Sequence, residues 1–329
     1  MKAGSQIRFI TGFIICSLLI GCCDEDKPSR SQWEWGARIQ FGRQPRWSPD
    51  GRTILFGDDR PGLAGLWLWD MPNVPHLLTD SLPPHNWDYG WSPDGMQIAF
   101  SSPALEADTT GGIWLVDVSD RTRRHFYPHG SEVGWFGDGT ALMARLDSVA
   151  QPGVYLLPLD GSLPSLAAAE GFRPSCAPGS STVAYASRAW NGVLTLLKFT
   201  NGIPQTSIAA SDSGVVEWAW ALGGGRLFFV QSRLKTQQLE TILLSVDVDG
   251  MNRDSLAVGV GSPAPDRAGW RIAATKWVNA RWEGLWLFDC NGSAERIADY
   301  GLNPAFHPTA DRIAVNIPGG GIAILEKVR

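Results

Sequence analysis

The chain has 329 residues, of which 44% are hydrophobic and 19% are charged, a composition typical of a globular protein that buries a sizeable core. Its formal net charge is −5, and this acidic balance argues against nucleic acid as a partner. Sixteen tryptophans and 37 glycines beside only five tyrosines indicate many tight turns and large packed side chains, which favours an all-β fold.

The first 21 residues have the features of a secretory signal. Lys2 and Arg8 precede an apolar run from Phe9 to Ile20, which is short for a bilayer-spanning helix. The run leads to Cys22 in a context that resembles the bacterial lipobox, in which cleavage before the cysteine is coupled to diacylation of its sulfur. We expect Cys22 to carry the lipid that tethers the protein to a membrane. An uncleaved anchor is the alternative, and it also tethers the protein.

One short motif recurs along the rest of the chain at intervals of 41 to 45 residues. It reads WSPDG from Trp47 and again from Trp91, and an apolar segment follows each copy. Partial copies place equivalent residues at Trp135, Cys176, Trp220, Pro265 and Phe306. Turn residues divide each unit into four short apolar segments, which predicts four strands per unit. Four strands in about 40 to 45 residues are typical of one blade of a β-propeller.

The seven units predict a single seven-bladed β-propeller over residues 33–329. The last unit supplies only three strands, and the segment from Ala37 to Phe41 has the pattern of the missing fourth strand. We therefore expect the first strand of the domain to complete the last blade, which removes the open sheet edges of the ring. The predicted organisation is a signal over 1–21, a lipidated cysteine and polar linker over 22–32, and the propeller over 33–329.

The motif resembles the repeat of TolB-type propellers, whose consensus is a WSPDG turn followed by an apolar strand. The resemblance covers residues 33–329, with full matches at Trp47 and Trp91. It implies a propeller but no single activity, because the family also supplies propellers to serine peptidases and to pectate-fragment lyases. TolB itself has an α/β domain ahead of six blades. This sequence instead predicts seven blades after a short polar segment.

Within each motif, the proline and the Asp-Gly pair predict a turn between the first and second strands. The tryptophan is expected on the innermost strand, where it packs between neighbouring blades. A functional ring of carboxylates from Asp50, Asp94 and Asp138 is the alternative. We favour the turn role, because aspartate before glycine is common in such turns.

Ligands of propellers usually bind on the face opposite these turns, which we call the top face. Every unit has a polar residue three positions before its tryptophan position, at the expected mouth of the central channel. We call these the ring residues: Gln44, Asp88, Glu132, Arg173, Glu217, Ser262 and Asn303. Three acids and one arginine predict a hydrated, mildly acidic funnel, although the alternation of any strand produces part of this pattern.

Other candidate residues lie in the predicted loops of the top face. Three tryptophans lie in variable loops between second and third strands: Trp190, Trp277 and Trp282. Their rings could stack on a sugar or anchor a protein partner, and the alternative is that each covers a neighbouring blade. His85 and His129 hold equivalent places in successive units and are weak candidates for a divalent metal, the alternative being solvated loop histidines.

Two cysteines remain in the predicted propeller, Cys176 and Cys290, which is too few for a disulfide framework. We expect both to be buried thiols, and a disulfide between them is the alternative.

No G-x-S-x-G, H-E-x-x-H or phosphate-binding glycine motif occurs in the sequence. We therefore expect a non-catalytic protein without a cofactor, tethered to a membrane of the bacterial cell envelope. Its top face is expected to bind an envelope protein, a peptide or a glycan. The alternative is a metal-dependent propeller enzyme, similar to polysaccharide lyases, that acts at the channel mouth.

Overall fold

The structure is a computed structural model, and it describes residues 32–80, 88–102, 111–187, 192–200, 203–211, 214–235, 238–278 and 281–328. These residues form seven four-stranded antiparallel sheets, which are the blades of one propeller. In this part of the chain, no helix is long and apolar enough to cross a membrane. The predicted all-β, seven-bladed fold is confirmed.

Strands are numbered in chain order, and the four strands of blades 1 to 6 follow one another along the chain from the innermost outwards. Blades 1 to 3 contain β2 (Arg43–Trp47), β3 (Thr53–Asp58), β4 (Gly65–Asp70), β5 (His76–Asp80); β6 (Tyr89–Trp91), β7 (Gln97–Ser102), β8 (Gly112–Asp117), β9 (Arg123–Pro128); and β10 (Gly130–Trp135), β11 (Ala141–Leu146), β12 (Gly153–Pro158), β13 (Ser165–Ala169). Blades 4 to 6 contain β14 (Gly171–Cys176), β15 (Thr182–Ser187), β16 (Val193–Thr200), β17 (Ile203–Ala209); β18 (Val215–Trp220), β19 (Arg226–Lys235), β20 (Gln238–Asp247), β21 (Asp254–Val258); and β22 (Val260–Pro265), β23 (Arg271–Val278), β24 (Arg281–Asp289), β25 (Ala294–Ala298). Blade 7 contains β26 (Leu302–Phe306), β27 (Arg312–Asn316), β28 (Ile322–Lys327) and β1 (Trp33–Ile39).

Blade 7 is completed by the N-terminal strand, as predicted. Strand β1 pairs antiparallel with β28, with Trp33 opposite Lys327 and Ile39 opposite Ile322. The strand begins earlier than the predicted segment, because Trp33 packs into the apolar cluster between blades 6 and 7. One hydrogen-bonded sheet therefore holds both ends of the domain, so that the ring is closed.

The hydrophobic core consists of seven clusters, one at each junction between neighbouring blades. Second strands are packed on both faces, and Ile54, Leu55 and Phe56 of β3 are all fully buried. Fourth strands lie at the rim, where β9 and β21 carry mainly exposed or partly exposed residues. Burial therefore constrains the inner strands most, which explains why the sequence repeat is clearest there.

The WSPDG motif forms the turn between the first and second strands, on the bottom face. In the first copy, the Ser48 hydroxyl donates to Asp50 Oδ1 over 2.6 Å, and the backbone N–H of Arg52 donates to the same oxygen over 3.1 Å. These hydrogen bonds hold the pKa of Asp50 below its ordinary value. Gly51 has a φ of 73°, which glycine adopts without strain. The second copy repeats the contacts, so the predicted turn role of these aspartates is confirmed.

The tryptophans of the motif join neighbouring blades. Each indole N–H donates to a backbone carbonyl oxygen of the preceding blade, directly before that blade's own motif position. The pairs are Trp47 with Ala305 (3.0 Å), Trp91 with Arg46 (3.1 Å), Trp135 with Gly90 (3.0 Å) and Trp220 with Ser175 (3.1 Å). The same bond thus recurs at four junctions, and the predicted inter-blade packing is confirmed.

Two segments predicted as loops are instead extended hairpins. Strands β19 and β20 are ten residues long, and Leu234 pairs with Leu239 near their tip. Strands β23 and β24 also continue, with Trp277 paired with Trp282. The prediction was wrong because cross-strand pairs extend the ladder beyond the blade: an apolar pair in each hairpin and, in blade 5, the Arg233–Glu240 ion pair. Four residues more than a six-residue strand correspond to about 13 Å, so the blade 5 hairpin projects from the top face.

Both cysteines of the propeller are unpaired, as expected. Each is partly exposed rather than fully buried, which corrects the prediction of buried thiols. The Cys176 sulfur accepts the backbone N–H of Gly137 over 3.2 Å, and burial raises the pKa of its thiol to about 12. This thiol therefore packs at the motif position of blade 4 and has little thiolate character.

Candidate functional site

The ring residues lie at the top of the innermost strands, as predicted. Five of them have left-handed backbone conformations, with φ between 46° and 54°: Gln44, Glu132, Arg173, Ser262 and Asn303. Pairing between the first and second strands shifts register at each of these positions, which identifies a β-bulge. A non-glycine residue in this conformation costs about 1–3 kcal/mol, so the surrounding structure must hold it in place.

Side chains of the preceding blade provide that support. At three junctions, a side-chain oxygen accepts the backbone N–H of the bulged ring residue in the next blade. The donor residues and their acceptors are Arg173 with Glu132 Oε2 (2.6 Å), Ser262 with Glu217 Oε2, and Gln44 with Asn316 Oδ1 (2.9 Å). The bulge removes each of these N–H groups from the strand ladder, and the inter-blade hydrogen bond satisfies it again. We call these contacts the inter-blade clasps.

Asp88 forms a similar contact between blades 2 and 3. Its Oδ2 accepts the backbone N–H of Val133 over 2.6 Å and the hydroxyl of Ser101 over 2.9 Å. Burial raises the pKa of Asp88 to about 7, although these hydrogen bonds and the charge of Arg46 act in the opposite direction. Asp88 therefore joins blade 2 to blade 3 through the Val133 N–H.

Arg173 and Tyr89 connect two further pairs of blades. The Arg173 guanidinium donates to the carbonyl oxygen of Val216 in blade 5 over 2.6 Å and lies 4.8 Å from the ring centroid of Trp218. The hydroxyl of buried Tyr89 donates to the carbonyl oxygen of Gln44 in blade 1 over 2.7 Å. The polar ring is therefore part of the framework of the propeller. Its role as a ligand site stays a prediction.

The sequence reasoning overlooked a second column of the repeat, the residue just before each motif position. Its members are Arg46, Gly90, Gly134, Ser175, Ala219, Ala264 and Ala305. Six of the seven are small. Arg46 is exposed, and its guanidinium lies 5.1 Å from the ring centroid of Tyr89. Comparing this column among the repeats, as was done for the ring, would have revealed the exception.

The hairpins of blades 5 and 6 expose large apolar side chains on the top face. Leu234 and Leu239 are 76% and 74% exposed. The rings of Trp277 and Trp282 meet edge to face with their centroids 4.7 Å apart. The Trp282 indole donates to the carbonyl oxygen of Asp299 over 3.1 Å, so this side chain also covers the connection to blade 7. Trp277 remains 44% exposed, and Trp190 lies outside the described residues.

Only one of the two histidine candidates lies within the described residues. His129 is exposed in the connection between blades 2 and 3, and His85 lies outside the described residues. Within the described ranges, no three His, Cys, Asp or Glu side chains are grouped so that they could hold a metal ion.

Two cavities open on the bottom face, beside the motif turns. One of about 310 Å³ is lined by Asp94, Asp117 and Asp138 beside Trp135, and another of about 530 Å³ lies beside the first motif turn. The three carboxylates already accept hydrogen bonds within their own turns. We therefore place the candidate site on the top face, where the blades differ most from one another.

The fold and this face define a class, a seven-bladed β-propeller with a polar channel mouth and two projecting hairpins. No family model and no curated protein matches the chain. Among solved structures, oligogalacturonate lyase from Vibrio parahaemolyticus is 14% identical with a TM-score of 0.67, covering 89% of this chain and 91% of its own. An oligogalacturonate lyase in complex with manganese is 16% identical, with a TM-score of 0.68 over 90% and 96% of the two chains. TolB from Acinetobacter baumannii is 16% identical, with a TM-score of 0.52 over 80% of this chain and 66% of TolB. At these identities the similarity establishes the propeller fold alone.

Proposed function

We propose that this protein is a non-catalytic binding module whose top face captures an envelope protein, a peptide or a glycan. The observation that carries the proposal is the exposed pair Leu234 and Leu239 at the tip of the blade 5 hairpin. Burying one such side chain contributes about 1.5–3 kcal/mol, so a hairpin that presents two of them offers a strong contact. Exposed apolar side chains of this kind are typical of interaction sites.

The lipobox-like sequence ending at Cys22 supports a tether to a membrane of the bacterial cell envelope. A tether keeps the top face at a high effective concentration near partners in the same envelope, and a moderate affinity is then sufficient. We propose no cofactor and no nucleic-acid partner. Its partners are molecules of the envelope.

Replacing both leucines by serine, as Leu234→Ser with Leu239→Ser, is expected to reduce capture of the partner at least tenfold. Each serine removes apolar surface that the partner would bury, and every 1.4 kcal/mol changes affinity about tenfold. Capture is measured by quantitative mass spectrometry after pull-down from the native envelope. Leu163→Ser is the matched control, because Leu163 is 88% exposed in the turn between β12 and β13 on the bottom face. Equal recovery with the double variant and with this control would contradict the proposal.

A metal-dependent lyase-like enzyme is the second candidate, favoured by the similarity to an oligogalacturonate lyase in complex with manganese. In that case, purified protein would contain a stoichiometric divalent metal, which His129→Ala would remove. Under the preferred proposal, elemental analysis finds no stoichiometric metal in either protein. His125→Ala is the control, since His125 is another exposed histidine, on β9, and packs against Trp114.

A further inference from the structure

The bottom face exposes large apolar side chains on five neighbouring blades of the ring. In the order of blades 5, 6, 7, 1 and 2, they are Met251, Trp270, Val328, Val74 and Met96, with exposed fractions between 48% and 84%. Four of them lie in turns of this face, and Val328 directly follows strand β28. We call them the bottom-face apolar residues. Leu163, on blade 3, lies outside this group, on the opposite side of the ring from blade 7.

Turn geometry does not require apolar residues at these positions. Met96 and Trp270 are equivalent, because the carbonyl oxygen of each accepts an N–H group from the next turn of its own blade over 3.0 Å. The corresponding residues of the other units are Arg52, Thr140, Ser181, Gly225 and Asp311. Met251 likewise corresponds to serines, Ser162 and Ser293, in the turns of blades 3 and 6. Polar residues and glycine suffice for such turns, so the apolar side chains indicate an interaction surface.

The chain enters the propeller on the same face. Strand β1 runs antiparallel to β28, which ends at the bottom face with Lys327, so β1 begins there with Trp33. The backbone N–H of Val328 donates to the carbonyl oxygen of Gln32 over 2.6 Å. The entry point therefore lies beside Val328 on blade 7, in the middle of the five blades.

The expected membrane anchor precedes this entry point by a short segment. Nine residues separate Cys22 from Gln32. Fully extended, this linker spans at most about 36 Å. A six-residue strand is about 20 Å long, so turning the top face to the membrane would use most of the linker along the side of blade 7. The anchor therefore brings the bottom face to the membrane on the side where the chain enters.

We propose that the bottom face of blades 5, 6, 7, 1 and 2 rests on the phospholipid surface, with the bottom-face apolar residues in the headgroup region. Tryptophan suits this boundary because its ring is apolar and its N–H group is polar. The net charge of −5 makes anionic lipid unnecessary for the contact. The inference rests on the tether of the proposed function. It directs the leucine hairpin of the top face away from the membrane, towards partners.

The test places the full protein, extracted from membranes, in phosphatidylcholine vesicles and measures the oxidation of single residues by hydroxyl radicals with mass spectrometry. A protease site in place of residues 25–31 keeps the linker length, and the domain released from the vesicles is the reference. Oxidation of Met96, Met251 and Trp270 is expected to be at least about threefold slower on vesicles, because these side chains lie at the headgroup boundary. Leu234 and Trp277 of the top face are expected to be oxidised at the same rate in both states.

The double variant Met96→Ser with Trp270→Ser is expected to lose most of the protection of Met251. Both replaced side chains are exposed in turns, so the fold is expected to persist, which the urea midpoint checks. Leu163→Ser is the matched control, because it removes an exposed apolar side chain of the same face outside the group. Adding phosphatidylglycerol to the vesicles is expected to leave the protection unchanged.

Equal oxidation of Met96, Met251 and Trp270 on vesicles and after release would overturn the inference. Protection of Leu234 and Trp277 instead, protection that persists in the double variant, or protection only with phosphatidylglycerol would also overturn it. Retention on the vesicles before protease treatment measures the tether itself, and a protein that is not retained would remove the tether and this inference together. Capture by the leucine hairpin is measured separately, and its failure would count against the proposed binding function and not against the contact with lipid.

Discussion

Replacing Trp47 by alanine is expected to lower the free energy of unfolding by about 3–5 kcal/mol, the usual cost of removing a large buried aromatic side chain. Trp47 is 8% exposed and packs in the apolar cluster between blades 7 and 1, where its ring meets His307 edge to face at 4.6 Å. Its indole also donates to Ala305 across the junction. The loss is large because the ring is buried between two blades and its N–H group joins them.

Chemical denaturation in urea measures the effect as a change in midpoint. Trp47→Phe keeps a ring and removes the N–H group, so it is expected to cost less than Trp47→Ala. Trp270→Ala is the matched control, because Trp270 is 62% exposed and its removal should change stability by at most about 0.5 kcal/mol. If Trp47→Ala and Trp270→Ala had similar effects, Trp47 would not be an inter-blade packing residue.

The blade count and the ring closure could be predicted from the sequence because burial repeats in every blade. The second strand must be apolar on both faces, and the turn before it needs aspartate and glycine at fixed places. The pattern of WSPDG followed by an apolar strand such as Thr53–Asp58 therefore survives fully in two copies and partly in the other five. The N-terminal strand, Trp33–Ile39, could also be predicted, because the last unit supplies only three strands and its blade needs a fourth.

The candidate site was predicted less completely, for two physical reasons. The ring residues could be located by their spacing, but a polar residue looks the same in sequence whether it faces a ligand or supports the next blade. The clasp from Glu132 to the N–H of Arg173 depends on a β-bulge, and five bulged positions hold five different residue types. The hairpins that carry Leu234 and Trp277 extend beyond the repeating part of their blades, so the repeat could not reveal them.

Charge reversal at a ring acid is expected to destabilise the fold as well as any ligand contact. Glu132→Lys removes the acceptor of the Arg173 N–H and leaves a bulged residue without its support, for an expected loss of about 1–3 kcal/mol. Glu132→Gln keeps an amide oxygen at the same place, so most of the stability should remain. Thermal and urea unfolding of the two variants measures the difference. Glu295→Lys, an exposed charge reversal on β25, is the control and should have little effect.

The comparison of these two variants also decides how the ring should be tested for function. A lysine variant that captures less partner has lost either a ligand contact or the correct shape of the channel mouth, because both depend on the same carboxylate. The glutamine variant removes the charge and keeps the clasp, so reduced capture by Glu132→Gln would identify a contact with the ligand. If Glu132→Lys proved as stable as Glu132→Gln, the clasp would be dispensable, and the bulge at Arg173 would need another explanation.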